Sequence, residues 1–276
     1  MSNPIGVQSP TIVVESIFGP LVAFENDFAT RQIATYGAHT RNEIALLRSF
    51  VDEGDLVYDI GAHIGGFAIP LAAAAGETGK VIAVEADAQS FPLLWQNLRN
   101  RGLVGRVVPV HGIAGGQEGR HTPRRTGGHT SATYFISDSA GEAAVTFKLD
   151  DLHACFGGVR RAAVIKIDVE GMELAVLRSA EGVIARDRPL LYVEIVGEQM
   201  ARYGVGHIDV ETFLRPYGYR FFRNVGERNS DNDAFTLVEL ANLAAGGGFY
   251  DVLAIPVDNA RLGRAEQAVA AGALRG

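Results

Sequence analysis

Cysteine is almost absent: Cys155 is the only one in 276 residues. No intramolecular disulfide can form, and a zinc centre built on cysteine is not expected. Positive charge is also in short supply, with 25 Lys and Arg against 32 Asp and Glu and a net charge of −7. A general nucleic-acid binder needs a basic face, so no nucleic-acid partner is expected. Long apolar runs are missing too. The longest, residues 67–75, contains Pro70 and is far too short to span a bilayer. Residues 1–10 have neither a basic start nor an apolar centre, so no secretory signal is expected, and the default is a soluble cytoplasmic protein. Neither an internal repeat nor a low-complexity segment is present.

Apolar residues make up 47% of the chain, enough for one large α/β domain with a small N-terminal addition. The stretch Val57-Tyr58-Asp59-Ile60-Gly61-Ala62-His63-Ile64-Gly65-Gly66-Phe67 organises the rest. An apolar run ends in an acid, a glycine-rich turn follows, and a helix can start after it. Such a turn lets backbone approach a ligand closely.

Around it, residues 11–14 and 21–24 read as a hairpin broken by Gly19-Pro20, and residues 42–51 have helical spacing. Apolar strands are predicted at 56–60, 81–85, 107–111, 162–168 and 189–196, with helices between them. Pro109 suits an edge strand, where a missing donor is tolerated. Strands at 217–222 and 250–256 close the domain, with a further short strand at 234–240. Asp258 is placed to cap a last Ala-rich helix. The expected division is residues 1–50, a hairpin and helix packed on the core; 51–256, the main domain; and 257–276, a helix or tail. Alternation of strand and helix gives a mostly parallel sheet covered on both faces, with ligands outside the carboxyl ends of its strands. Residues 115–149 form an excursion too long for a simple connection, and such excursions tend to carry function.

Chemistry-bearing residues collect at the strand ends. Glu85 follows Gly61 at a spacing that lets a carboxylate accept from ribose hydroxyls. The turn lacks the middle glycine of G-x-G-x-x-G, because Ala62-His63 fill that space. This favours a nucleoside without a pyrophosphate, such as S-adenosylmethionine, over NAD. Lys166 interrupts an otherwise apolar strand and needs a carboxylate partner. Asp168 and Glu170 are candidates for that partner and for acid–base work; the bland alternative is an ion pair plus a helix-start acid. No metal is expected, the alternative being oxygen ligation by Asp168, Glu170 and Asp150 or Asp151. His129, in the excursion beside Thr130 and Ser131, is a candidate base or substrate contact. His111 could face the site or simply pack. His121 with Arg124 and Arg125 could grip an anion or form an exposed basic loop.

Three segments together closely resemble the FkbM family of S-adenosylmethionine-dependent methyltransferases: residues 59–65, Val84-Glu85-Ala86-Asp87, and Lys166-Ile167-Asp168-Val169-Glu170-Gly171-Met172-Glu173. The third is the most specific, and the resemblance covers about residues 35–256. His63 stands where the family usually has Asn, and Ala86 where it has Pro. The resemblance implies a class I, Rossmann-like methyltransferase fold: a seven-stranded, mostly parallel sheet with its last strand antiparallel, helices on both faces and a small N-terminal β/α addition. It implies O-methylation of a sugar, lipid or natural-product hydroxyl, with S-adenosyl-L-methionine as cofactor. Asp59, Gly61, Ala62, His63 and Gly65 would line the methionine and ribose side, Glu85 would hold the ribose, and Ala86 would lie beside the adenine. Ile113 and Ala114 would be near the cofactor, Asp168 would lie at the methyl-transfer centre, and Glu43 matches a recurring acid that would reach the cofactor's amino group. An NAD-dependent oxidoreductase and a catalytically silent cofactor-binding protein are the alternatives. Oligomeric state is left open.

Overall fold

The computed structural model describes residues 8–115, 120–126, 130–137, 142–143, 145–157 and 160–273. Its N-terminal segment pairs β1 (Thr11–Val14) with β2 (Leu21–Phe24) antiparallel, Val13 opposite Val22. Two helices follow, α1 (Phe28–Tyr36) and α2 (Arg41–Arg48). The first has no counterpart in the sequence reading, because its buried face carries Thr30 and Gln32 beside Ala29 and Ile33 and so lacks an apolar stripe. Its ends are nonetheless well marked. The Asp27 carboxylate accepts from the Ala29 N–H, and Gly37, left-handed at φ 81°, closes the last turn.

Strand and helix then alternate: β3 (Leu56–Ile60), α3 (Ala68–Ala74), β4 (Lys80–Glu85), α4 (Ser90–Asn100) and β5 (Val107–His111). The excursion follows. It contains β6 (Ile113–Ala114), β7 (Arg120–Arg125), β8 (Thr133–Ser137), β9 (Glu142–Ala143) and β10 (Thr146–Phe147). Strands β7, β8 and β9 form a small antiparallel sheet of their own. Alternation resumes with α5 (Leu149–Leu152), β11 (Ala162–Ile167), α6 (Glu173–Ser179), α7 (Glu181–Asp187), β12 (Leu190–Val196), α8 (Gly197–Ala201) and α9 (His207–Leu214). The chain closes with β13 (Tyr219–Asn224), β14 (Leu237–Leu240), β15 (Phe249–Pro256) and α10 (Leu262–Ala273).

The main sheet has eight strands among the described residues, in the order β14-β13-β15-β12-β11-β3-β4-β5. The expected number was seven; the difference is β14, which pairs antiparallel with β13 at the outer edge, Phe221 opposite Leu240. Strands β5, β4, β3, β11 and β12 are parallel, and β15 runs antiparallel between β12 and β13. Pro109 lies on β5, the edge strand, where its missing donor breaks no ladder. Asp258 does not cap the last helix. It pairs with Arg188 at 2.9 Å, four residues ahead of the helix start.

The central strands read as continuous apolar runs because helices cover both faces. Val57, Val81, Val164, Tyr192 and Leu253 face one core, shared with α2, α3 and α4. Tyr58, Ile82, Ile165, Val193 and Val252 face the other, shared with α6, α7 and α9. Building outward from β3, the chain adds β4 and β5 on one side, then returns to add β11 and β12 on the other. The strand order therefore reverses between β3 and β11, and a crevice opens there at their carboxyl ends.

Candidate active site

The turn after β3 starts with Gly61 at φ 83°. A Cβ there would stand 1.8 Å from the Asp168 carbonyl oxygen, so only glycine lets the two strand ends come this close. Four backbone N–H groups of the turn are spent within the protein. Those of Gly61 and Ala62 both donate to the Val84 carbonyl at 2.9 Å, and that of Gly65 donates to Ala62 at 2.8 Å. His63, at φ 49°, donates its backbone N–H to Glu85 Oε2 at 2.6 Å. The Asp87 N–H donates to Glu85 Oε1 at 2.7 Å. Each Glu85 oxygen keeps a further lone pair for a ligand hydroxyl. Burial pushes the Glu85 carboxyl up to about 7.

Across the crevice, Lys166 is almost fully buried. Its Nζ lies 3.1 Å from Asp59 Oδ1 and 3.4 Å from Asp168 Oδ2, donates to the Gly61 carbonyl at 3.1 Å, and stands 5.0 Å from the centre of the Phe67 ring. Burial alone would lower its pKa, but Asp59 and Asp168 hold it above the ordinary lysine value. Burial likewise opposes the charge on Asp168, and Lys166 overrides it, so Asp168 sits below the usual carboxylate range. Glu170, at φ 58°, accepts from Gln199 Nε2 at 2.6 Å. Burial, then the charges of Asp168 and Glu173, push it up to about 8. Glu173 Oε1 accepts from the backbone N–H groups of Val169 and Gly171 and so fixes the loop that carries Asp168 and Glu170.

These two clusters wall a single cavity. Gly61, Ala62, His63, Glu85, Ala86, Ile113, Ala114, Asp168 and Glu170 line it. Asp59 and Gly65 stand behind the lining, Asp59 holding Lys166 and Gly65 shaping the turn. Glu43 is not brought to the cavity lining. Its Oε2 accepts from the Tyr192 hydroxyl at 2.5 Å and its Oε1 from Asn224 Nδ2 at 3.0 Å. Burial pushes it up to about 7, with the charge of Asp251 adding to the effect. His129 lies outside the described residues. Asp150 is far from a ligand role here, since its carboxylate accepts from the N–H groups of Gly182 and Val183 at the start of α7.

Other residues with a bearing on the site are not singled out by the sequence. His39, between α1 and α2, lines the cavity; its ring meets Phe28 edge-on, and its Nδ1 is buried without a partner among the described residues. Burial, then the charge of Arg228, lower its pKa to about 4, so it is a neutral imidazole. Glu194, at the end of β12, is buried beside Asp168. Nothing local in the sequence marks either one, because both depend on which strand ends and loops become neighbours.

The excursion folds over the cavity through Ser131, Thr133 and Phe135. Ser131 N–H and Oγ donate to Asp27, and Arg125 Nη2 and Thr133 Oγ1 both donate to Asp87 Oδ2 at 2.9 Å. The Tyr203 hydroxyl donates to the Phe135 carbonyl. His111 is exposed and stacks on Phe91, ring centres 4.7 Å apart. The N-terminal helices and the turn between them line the other side of the cavity through Ala29, Ile33 and His39, and residues 227–233 bond to them. Gln32 donates to Asn229, Asn42 to the Glu227 carbonyl and Arg41 to Asp233, while Arg228 pairs with Asp251.

The cradle fits a nucleoside that carries no pyrophosphate. A buried carboxylate with open lone pairs faces it at Glu85, and the N–H groups of Gly61, Ala62, His63 and Gly65 are committed internally rather than turned to a diphosphate. Among the described residues no helix is long and apolar enough to cross a membrane. Similar folds are found in a putative transferase of Pyrococcus horikoshii (15% identity, 89% of this chain and 71% of that one, TM-score 0.48) and in M. jannaschii TYW2 in complex with AdoMet (14%, 90% and 86%, TM-score 0.48). A putative O-methyltransferase of Klebsiella pneumoniae is similar at 15% identity over 84% of this chain and 82% of that one, TM-score 0.46. No curated protein sequence matches the chain. The methyltransferase FkbM domain profile, however, matches residues 59–221, which carry both strand-end clusters and the excursion between them. The chain therefore belongs to the FkbM family of methyltransferases, with S-adenosylmethionine as cofactor.

Proposed function

We propose that the protein transfers a methyl group from S-adenosylmethionine to a hydroxyl of a sugar, lipid or natural-product acceptor. The observation that carries this reading is the single cavity with Glu85 on one wall and the Lys166–Asp168 pair on the other. When bound, the cofactor supplies a methyl carbon already activated by its sulfonium. Glu85 binds the ribose hydroxyls, and Ala86, Ile113 and Ala114 bound the adenine side. Asp168 and Glu170 stand at the acceptor side, and the excursion through Ser131 to Phe135 covers the cavity and excludes water.

The protein's main contribution is alignment of the two reactants. The acceptor oxygen forms its bond to the methyl carbon as the carbon–sulfur bond breaks, and the acceptor proton must leave to a base. Two lining groups can take it at neutral pH: Asp168, kept ionised by Lys166, and His39, a neutral imidazole with an unpartnered Nδ1. Glu170, with its carboxyl raised to about 8, is a hydrogen-bond donor at that pH. A dinucleotide oxidoreductase is disfavoured by the internal use of the turn's N–H groups.

Calorimetric titration with S-adenosylmethionine tests the cofactor, on the wild type and on Glu85→Ala. Binding to the wild type that weakens strongly in the variant is expected. Transfer of isotope-labelled methyl to panels of sugars, lipids and polyketide alcohols tests the acceptor class. Label appearing on a base-labile ester or on nitrogen instead of an ether would overturn the hydroxyl reading.

A further inference from the structure

Three carboxylates crowd the acceptor end of the cavity. One oxygen each from Asp168, Glu170 and Glu194 lie within 4.8 Å of one another. Strand register produces this. Lys166 pairs with Tyr192 and Ile167 with Val193, so the next residues along, Asp168 and Glu194, are neighbours at the carboxyl ends of β11 and β12. Glu170 reaches the same point from the loop that Glu173 fixes.

Arg202 stacks over Tyr134 and acts on Glu170 without forming an ion pair with it, and the other cations nearby are committed. Lys166 is shared between Asp59 and Asp168, and Arg228 pairs with Asp251. Glu194 is only 7% exposed, and its Oε2 has no hydrogen-bond partner among the described residues. An ionised carboxylate is an acceptor only, so a buried oxygen of this kind calls for a proton or a cation. The spacing suits a cation. An oxygen-seeking divalent ion at about 2.3–2.6 Å from each ligand spans up to about 5 Å between oxygens, which these three already satisfy.

We propose that Asp168, Glu170 and Glu194 form a binding site for a hard divalent cation, Mg²⁺, Mn²⁺ or Ca²⁺, at the acceptor end of the cavity. Two of its ligands, Asp168 and Glu170, line the cavity itself, so the ion's open positions face the space left for the acceptor. The matching acceptor class has two neighbouring oxygens, such as a vicinal diol or a hydroxy acid, that can bind the ion together. The ion lowers the pKa of the coordinated hydroxyl. Asp168 is then a ligand, and the proton passes to His39. This role rests on the methyltransferase function proposed above, whereas cation binding does not.

The test is titration of the full-length protein with Mn²⁺ at mildly alkaline pH, free ion being counted by electron paramagnetic resonance. A single Mn²⁺ per chain, displaced by Mg²⁺ or Ca²⁺, is expected. Glu194→Gln and Glu170→Gln should each weaken it by more than about tenfold. Cooperative melting identifies which variants are folded, and either one serves. Mn²⁺ that stays free in the wild type, or binding unchanged in a folded variant, overturns the site and leaves protons as the charge compensation. S-adenosylhomocysteine binding, measured on the same samples by thermal shift, separates the two ideas. If it binds and Mn²⁺ does not, only the cation site falls; if Mn²⁺ binds and it does not, only the cofactor reading falls.

Discussion

The Asp168 carbonyl oxygen occupies the space that a Cβ on Gly61 would need, 1.8 Å from its ideal position. This contact joins the cofactor turn to the strand end that carries the candidate chemistry. Gly61→Ala has no cheap way out, since the obstacle is backbone and the residue also sits at φ 83°. The variant is expected to lose about 2 kcal/mol or more of stability and to bind cofactor poorly. Urea denaturation, and titration with S-adenosylhomocysteine of whatever remains folded, check this. A variant as stable as the wild type that binds normally would mean the two strand ends can separate freely.

Lys166 is the only buried cation between Asp59 and Asp168 among the described residues. Lys166→Met removes it, leaving Asp59 without its counter-charge and Asp168 with only the more distant Arg228. Breaking a buried pair from one side costs about 3–5 kcal/mol. The double variant Lys166→Met with Asp59→Asn should recover part of that loss, because it removes one stranded charge as well. A denaturation double-mutant cycle measures the coupling. Additive effects would show that Lys166 and Asp59 do not act as a pair.

Glu85 and Glu43 make stability depend on pH. Both carboxyls have an ordinary value of 4.5 and are raised to about 7 in the folded protein, mainly by burial. Between these values the folded state holds more protons at these two groups than the unfolded state, so their contribution to stability falls as pH rises through the window; Glu170 carries the fall on to about 8, and His39 opposes it between about 4 and 6.5. Glu85→Gln and Glu43→Gln should each remove one share of the fall. The difference in melting temperature between the cofactor-free wild type and each Gln variant, wild type minus variant, should follow the course of these two groups. A difference from the variants that grows as pH rises through the same window would contradict the assignment.

Side-chain hydrogen bonds tie the strip over the cavity to the body, Ser131 reaching Asp27 at one point. Arg125 and Thr133 reach Asp87, and Tyr203 reaches the Phe135 carbonyl. The triple variant Arg125→Met, Thr133→Val, Tyr203→Phe removes the last three ties and leaves the main sheet untouched. Amide hydrogen exchange in residues 130–137 should speed up, while exchange in β3 and β11 stays slow. Cofactor affinity should drop, since Ser131, Thr133 and Phe135 line the cavity. Unchanged exchange in the strip would mean that other contacts secure it.

Much of this architecture can be read from the chain alone, and the reason is locality. Gly61, Glu85 and Asp168 announce themselves because each ends a buried strand, and a run of apolar residues followed by an acid or a glycine is visible in one dimension. Glu194 also ends a strand, but its meaning comes from register, since only the pairing of β11 with β12 sets it beside Asp168. His39 lies between two helices, the first of which has a buried face too polar to be recognised. Glu43 shows the opposite case. It was expected to reach the cofactor's amino group, yet Tyr192 and Asn224, distant in sequence, hold both its oxygens. The eighth strand was legible as a short strand at 234–240, although the family resemblance implies only seven; it forms at Leu237–Leu240.

The rim of the crevice opposite the strip joins the two ends of the chain. Gln32, Arg41 and Asn42 bond to residues 227–233; at the other, amino end of β3, Arg261 bonds to the Phe50 carbonyl, Asp52 and Asp55. During synthesis the cofactor turn and the first parallel strands emerge early, but their enclosure needs partners made nearly two hundred residues later. A growing chain can therefore assemble its nucleotide cradle well before it can shut it, and the final closure is a slow, long-range event in folding.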